Sequence, residues 1–359
     1  MGMVVWLFTA WLAGWFVFYR LTFIPETIQS KGSIKTISII IPARNEARTL
    51  PKLLTSLKMQ HLQPKEIIVV DDESTDGTAE IARGYGAIVI QNTSEKSGKA
   101  AACWLGALHA SGEWLLFLDS DTFFQKKTSL ERLAGEYERK SGHGILSAQP
   151  FHETHRFYEQ LSFVFNVVIV AGLNAFSALG RKVKAGGAFG PCILCSKDDY
   201  LQTDGHKNMK TGILDDVALA KRFQEQDLPI YLYGGKHTIS FRMHPEGFRQ
   251  LVQGWTKDFA TASQSTHPLI LLGIILWVSG GLLAGGFILF KSYLVLSLFF
   301  YVIYYGQCVL FARRVGNFKA PILFFFPLLL FFFLCLFAWS LIQTYVFKSV
   351  TWKGRKVKL

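Results

Sequence analysis

Hydrophobic residues fall in long unbroken runs at the two ends of this chain and in short, evenly spaced blocks between them. Residues 36–41 (TISIII), 66–70 (EIIVV) and 114–118 (WLLFL) are apolar stretches of strand length, rich in β-branched and aromatic side chains. After the first of them Leu50, Leu53, Leu54 and Leu57 recur at i, i+3, i+4 and i+7, and before the third Ala101, Leu105 and Leu108 do much the same, so both segments are predicted helices. Continuous apolar strands alternating with helices at this spacing predict βαβ units and a mostly parallel sheet, hence an α/β fold. Ligands of such sheets gather at the carboxyl ends of the strands. Here those ends carry Arg44, Asn45 and Glu46, then Asp71 and Asp72, then Asp119 and Asp121. Three strand ends presenting polar, mostly acidic groups mark a site.

The outer runs have another meaning. Residues 268–290, 293–311 and 321–347 are each long enough, at about 1.5 Å per residue, to cross a hydrocarbon core of about 30 Å. A fourth run, 4–19 with 21–24, is broken only by Arg20. It lacks the charged start and small-residue cleavage site of a secretory leader, so it reads as a retained anchor. Phe248, Leu251, Val252, Trp255 and Phe259 repeat at helical spacing just before a span, the pattern of a helix lying in a membrane interface. Residues 161–179 are also apolar, but a crossing there would put Asp119 and Asp215 on opposite sides of the membrane. A buried or membrane-surface helix is expected instead. The predicted organisation is an anchor over 1–24, a cytoplasmic α/β domain over 25–245, an interfacial helix over 246–267, about three membrane segments over 268–347 and a basic tail over 348–359.

Composition adds two restrictions. The net charge of +12 would suit a nucleic-acid partner, but the basic residues are dispersed and flank the apolar runs rather than forming one stripe. Such charge sets orientation and attracts anionic lipid. Lys31 and Lys35 after the first run place the following domain in the cytoplasm; three further crossings would then carry the tail WKGRKVKL outside, which leaves open a re-entrant segment or an exceptional tail. The five cysteines do not look like a disulfide framework in a cytoplasmic domain. Cys192 and Cys195 have a zinc-like spacing without a second pair, and read as small buried positions.

The stretch LFLDSDT ends a strand in two carboxylates one residue apart, which repel unless a cation sits between them. Hard oxygen ligands in low number suit Mg2+ or Mn2+, whose shells are completed by water and substrate phosphate. With twelve aspartates in the chain, roughly 0.4 such pairs arise by chance, so position and company carry the inference. That company includes Glu95-Lys96-Ser97-Gly98-Lys99, a basic, glycine-containing loop before a helix, suited to a diphosphate. It also includes Asp71 and Asp72, placed to bind the base and ribose of a nucleotide. Helix capping accounts for Ser74, Thr75 and Asp76 better than for Asp71. Asp215 and Asp216 open a further helix, where the dipole alone favours acids; the sharper reading is a general base.

Taken in order, SIIIPARNE, IIVVDDESTDGT, EKSGKAAA, LFLDSDT and LDDVALAKRF resemble a family 2 glycosyltransferase of the GT-A fold, over about 36–226. The second half, with LSAQPFH, GAFGPCIL, FRMHPEGFRQLVQGWTK and VTWKGRK, resembles the branch of that family that glycosylates carotenoid acids. The resemblance implies a UDP-sugar donor, UDP-glucose first, and a lipophilic carotenoid or other lipid acceptor. It implies that Pro42, Arg44, Glu46, Asp71 and Asp72 line the nucleotide, with Lys96 and Lys99 near the phosphates. Asp119, with Ser120, and Asp121 would serve the metal-diphosphate, Asp121 more directly. Asp216 or Asp215 would be the acceptor-side acid, with inversion at the anomeric carbon. Processive synthases of the superfamily carry Gln-x-x-Arg-Trp; here Trp255 follows Leu251-Val252-Gln253-Gly254, which argues against polymerisation.

Overall fold

The structure is a computed structural model that describes residues 2–27, 35–93, 97–209, 215–262, 265–286, 294–347, 349–352 and 355–358. The chain divides into two compact units: Thr22–Phe151 with Gly187–Arg242, and Met1–Leu21 with His152–Gly186 and Met243–Leu359. The division runs through the domain expected over 25–245, because residues 152–186 group with the apolar helices.

The first unit is built on strands β1 (Ile37–Ala43), β2 (Glu66–Asp71), β3 (Ile88–Gln91), β4 (Trp114–Leu118), β5 (Thr122–Phe124), β6 (Ile145–Gln149), β7 (Phe151–His152, at the unit boundary), β8 (Cys192–Ser196), β9 (Ile230–Gly234) and β10 (Ile239–Phe241). Seven of them form one sheet in the order β3-β2-β1-β4-β8-β6-β9. All neighbours are parallel except β8, which runs antiparallel between β4 and β6. Both faces are covered, as a parallel sheet requires. On one side Ile37, Ile39, Ile41, Leu116 and Leu118 pack under helices α2 (Leu50–Lys58), α3 (Thr78–Gly84) and α5 (Ser129–Arg139). On the other, Ile40, Leu115 and Phe117 pack under α4 (Lys99–His109), α7 (Lys197–Gln202) and α8 (Asp215–Glu225). Cys192 lies in the first core and Cys195 in the second, so their side chains leave opposite faces of β8 and do not converge on one metal.

The second unit is helical: α1 (Gly2–Val17), α6 (Phe163–Gly172), α9 (Phe248–Ala262), α10 (Pro268–Gly286), α11 (Leu294–Val315), α12 (Ala320–Leu323) and α13 (Phe326–Ile342). Pro268–Gly286, Leu294–Val315 and Phe326–Phe347 are long and apolar enough to cross a membrane. The N-terminal helix is not. Its 16 residues end at Val17, well before Ile24, because the Arg20 N–H turns to the Phe176 carbonyl (3.0 Å) and the chain leaves the helix. At about 1.5 Å per residue the helix falls short of a 30 Å core.

Small residues set the packing here. α1 lies along α10, where a Cβ on Gly280 would collide with the Ala10 methyl and the Tyr304 hydroxyl. The Gln307 amide accepts from the Trp277 indole (2.9 Å) and donates to the Trp11 carbonyl (3.0 Å), tying α10, α11 and α1 together. α6 is buried against α10, α11 and α13. On α9, Leu251 and Trp255 face the unit's interior while Phe248 is exposed. The Trp255 indole donates to Ser162 Oγ (3.0 Å) and stacks on Phe165.

Candidate active site

The loops after β1 and β2 are sewn together before any ligand is considered. Asn45 adopts φ 53°, a conformation asparagine tolerates. Its N–H donates to Ser74 Oγ (3.0 Å) and its side-chain oxygen accepts from Thr75 N–H (2.8 Å). Glu46 N–H donates to Thr78 Oγ1 (2.8 Å), and Ala47 N–H to Asp76 Oδ2 (3.1 Å). Arg44 Nη1 donates to the Asp72 carbonyl (2.9 Å) and lies 3.3 Å from Glu73 Oε2. Pro42 belongs to the strand itself, opposite Val70.

Asp71 and Asp72 are both buried. Asp71 Oδ1 accepts from Ser74 N–H (3.1 Å), holding the turn that follows β2. Asp72 uses both oxygens: Oδ1 accepts from the Asn92 amide (2.7 Å) and Oδ2 from Gly98 N–H (3.0 Å). The Gly98 amide therefore serves Asp72. Gly98 has φ 116°, which favours glycine, and leads directly into α4. Lys96 and Glu95 lie outside the described residues.

At the end of β4, Asp119 N–H donates to the Pro191 carbonyl (3.1 Å), while its own carbonyl accepts from the Thr122 N–H (3.1 Å) and hydroxyl (2.7 Å). Asp-Ser-Asp-Thr thus closes a tight turn, as short polar side chains favour. Ser120 is buried in it. The Asp121 carbonyl accepts from Arg242 N–H (3.2 Å), continuing the antiparallel pairing of β5 with β10.

Lys99, the first residue of α4, reaches across to this turn. Its Nζ is 2.5 Å from Asp119 Oδ1 and 3.4 Å from the Gly190 carbonyl. Gly190 N–H donates in turn to Asp216 Oδ2 (3.2 Å), and Asp216 Oδ1 accepts from Val217 N–H (3.0 Å) at the start of α8. Four chain segments so meet at one point, with Asp119 and Asp216 on either side of one ammonium. Loss of solvent opposes the charge on Lys99, but contact with Asp119, with Asp216 nearby, outweighs it and raises the lysine above its ordinary pKa. The ammonium is therefore charged at any working pH. One turn along α4, burial pushes the Cys103 thiol up, so it stays neutral. Asp215 opens α8 beside Asp216.

Asp119 and Asp121 offer hard oxygen donors, and among the described residues no group of three or more His, Cys, Asp or Glu is placed to hold a metal. Two carboxylates with no third protein ligand fit a small divalent cation that completes its shell with water and diphosphate. The Asp119 carboxylate already attracts one cation, the Lys99 ammonium. Sequence reasoning did not single out Asn92 or Gly190. Gly190 had a signal, its place in GAFGPCIL; Asn92 had none, since its partner lies 20 residues away.

A mostly parallel sheet, with Asp119 after one strand and Asp216 at a helix start both brought to Lys99 and Gly190, accords with a GT-A glycosyltransferase. Residues 38–198 match glycosyl transferase family 2, and the chain belongs to that family; it is a glycosyltransferase. It is similar to the 4,4'-diaponeurosporenoate glycosyltransferase of Staphylococcus aureus strain USA300, 38% identical over 334 residues that cover 90% of this chain and 89% of the relative. The protein of the same name from strain MRSA252 is 39% identical over the same length. Among solved structures, a mannosyltransferase from Pyrobaculum calidifontis in complex with GDP-Man and Mn2+ superposes with a TM-score of 0.52 at 18% identity, covering 96% of both chains.

Proposed function

We propose that the chain transfers a sugar, glucose in the first instance, from a UDP-sugar to a carotenoid carboxylic acid of the 4,4'-diaponeurosporenoate type, giving a glycosyl ester at the bacterial cell membrane. The observation that carries this reading is the meeting of Asp119 and Asp216 on Lys99 and Gly190, which joins a donor side to an acceptor side. The acceptor class is supported by the likeness to the Staphylococcus aureus enzyme. The strand ends and loops carrying Pro42, Arg44, Glu46, Asp71 and Asp72 receive the nucleotide, with Lys99 and the neighbouring Lys96 at the diphosphate. Asp121 and Asp119 would hold Mg2+ or Mn2+, which neutralises charge on the departing diphosphate when bound.

A carboxylate oxygen of the acceptor attacks the anomeric carbon from the face opposite the diphosphate, and the bond to the β-phosphate oxygen breaks, so the configuration inverts. The acceptor is already ionised near neutral pH, since carboxyl groups titrate around 4. No base is needed, and Asp216 with Asp215 positions rather than deprotonates. The three span-length helices support a membrane-bound enzyme, whose α/β unit we place in the cytoplasm, where UDP-sugars are met and a polyene acid dissolved in lipid presents its polar end.

The test is mass spectrometry of lipids from membranes with and without this protein, supplied with UDP-glucose and the C30 acid. A glucosyl ester that appears only with the protein is expected. Transfer to a diacylglycerol or a polyprenyl phosphate instead would overturn the acceptor, and no transfer to any lipid would overturn the reading.

A further inference from the structure

Lys99 stands at the wrong end of its helix. It is the first residue of α4, whose first turn holds no acid, and a helix N-terminus disfavours positive charge. What keeps it there is the carboxyl end of the central strand β4. Nζ contacts Asp119 Oδ1 at 2.5 Å and the Gly190 carbonyl at 3.4 Å. A methyl group on Gly190 would lie 3.2 Å from both Lys99 Nζ and Asp216 Oδ2, so ammonium and carboxylate crowd the space beside Gly190 and a side chain there would have to push them back by a few tenths of an ångström. The ion pair is only partly exposed, at 36% and 28% for its two side chains. Its attraction is therefore screened less than that of a surface pair.

We propose that Lys99 is an internal counter-cation of the donor site: without nucleotide its ammonium neutralises Asp119 and keeps a free divalent ion out, so that metal enters only together with a diphosphate. This rests on the donor site proposed above and adds an order to its filling. A dication and an ammonium on the same carboxylate repel each other at contact distance, where Coulomb energies are large. A nucleoside diphosphate resolves the conflict, because its oxygens offer Lys99 a second anionic partner while they complete the metal's shell. When the ammonium moves to the diphosphate it also leaves the Gly190 carbonyl, whose peptide neighbour holds Asp216. Filling of the donor site is thereby felt at the acceptor-side acid.

The experiment is Mn2+ binding to the full-length protein in detergent, followed by electron paramagnetic resonance, with Mn2+ alone and with Mn2+ plus UDP. Wild type is expected to bind Mn2+ alone at least about tenfold more weakly than with UDP, the scale of one charged hydrogen bond. Lys99→Met should bind Mn2+ alone roughly tenfold more tightly than wild type, with UDP adding less. Lys99→Gln keeps length and hydrogen bonding without charge, and gives the same result should the methionine variant fold poorly; Lys99→Arg should behave as wild type. If wild type binds Mn2+ with UDP but neither neutral variant binds free Mn2+ more tightly, the counter-cation is overturned and the donor site stands. If wild type binds no Mn2+ even with UDP, the metal-dependent donor site is overturned and this inference with it.

Discussion

In the α/β unit the large side chains point inward: Trp114, Phe117 and Tyr137 are almost completely buried on the two faces of the sheet. The helical unit buries large side chains too, Trp277, Tyr304 and Phe311 among them, but it adds a second pattern. α10, α11 and α13 also show Ile275, Val302 and Phe331 to the outside, with Val302 64% and Phe331 61% exposed, while Gln307, Ser340 and several glycines are buried. Water selects the first pattern, since it expels apolar surface. Hydrocarbon selects the second, because apolar faces gain nothing by hiding from it and helices hold together through close packing and internal hydrogen bonds. One chain thus carries two solvents in its sequence. Asp119, Lys99 and Asp216 of the candidate site sit in the first of these units.

Removing charge from the α/β unit should separate activity from stability most strongly. Asp121→Asn is expected to lower sugar transfer by at least about a thousandfold, the scale of losing preorganised charge stabilisation, while thermal unfolding changes little. Transfer of labelled sugar into lipid, paired with calorimetry of the same preparation, measures both. A loss below tenfold would remove Asp121 from the donor site.

Acid should damage the helical unit faster. Burial lowers His152 to about 4 and His244 to about 3, and the neighbouring His152 pushes His244 the same way. In the α/β unit burial, helped by Lys99 and Arg222, lowers His206 to about 3. A folded pKa below the ordinary 6.5 means that the unfolded chain binds more protons between there and the folded value. Stability therefore rises with pH across that window and is lost as pH falls below 6.5, by up to about 1.4 kcal/mol per pH unit for each histidine. With two such histidines against one, amides of the helical unit should lose hydrogen-exchange protection about twice as steeply between pH 6.5 and 5. Equal slopes would show that the two units unfold as one.

Much of this division was legible in the chain. Continuous apolar runs located β1, β2 and β4, and the 3.6 period α2 and α4, to within a residue or two, because each is fixed by local burial. The acids at Asp71, Asp119 and Asp215 were legible because they end strands or open a helix next to turn residues. Two kinds of fact were not. Long-range partners such as Asn92 for Asp72 leave no local trace, and GAFGPCIL marks Gly190 without saying that it holds Asp216. The neighbours of α6 were equally hidden, since a run such as FVFNVVIVAG looks the same whether protein or lipid surrounds it. The structure surrounds it with α10, α11 and α13, and the chain divides there.

The polar clamp of the helical unit offers a smaller test. Gln307→Leu removes both hydrogen bonds of the amide and leaves the Trp277 N–H and the Trp11 carbonyl buried without it. Destabilisation of about 1–3 kcal/mol is expected, seen as a lower denaturation midpoint in detergent with the kcat of sugar transfer unchanged. A neutral result would mean that close packing around Gly280 holds α1, α10 and α11 by itself.

The smallest expected change falls in the α/β unit, at Asp216. Its carboxylate accepts from Gly190 N–H through Oδ2 and from Val217 N–H through Oδ1. Asp216→Asn keeps one oxygen to accept from Gly190 and gives up the charge and the power to take a proton. If the acceptor attacks as a carboxylate, no proton has to move, so kcat should fall by less than about tenfold rather than by the 100-fold to 10,000-fold typical of a lost general base. Asp216→Ala, which also loses the Gly190 anchor, should fall further, mainly through a raised KM for the acceptor. Single-turnover rates for both variants with the C30 acid decide the matter. A loss of a thousandfold or more in the asparagine variant, with acceptor binding intact, would mean that a proton is removed at Asp216 after all, and that the natural acceptor is a hydroxyl.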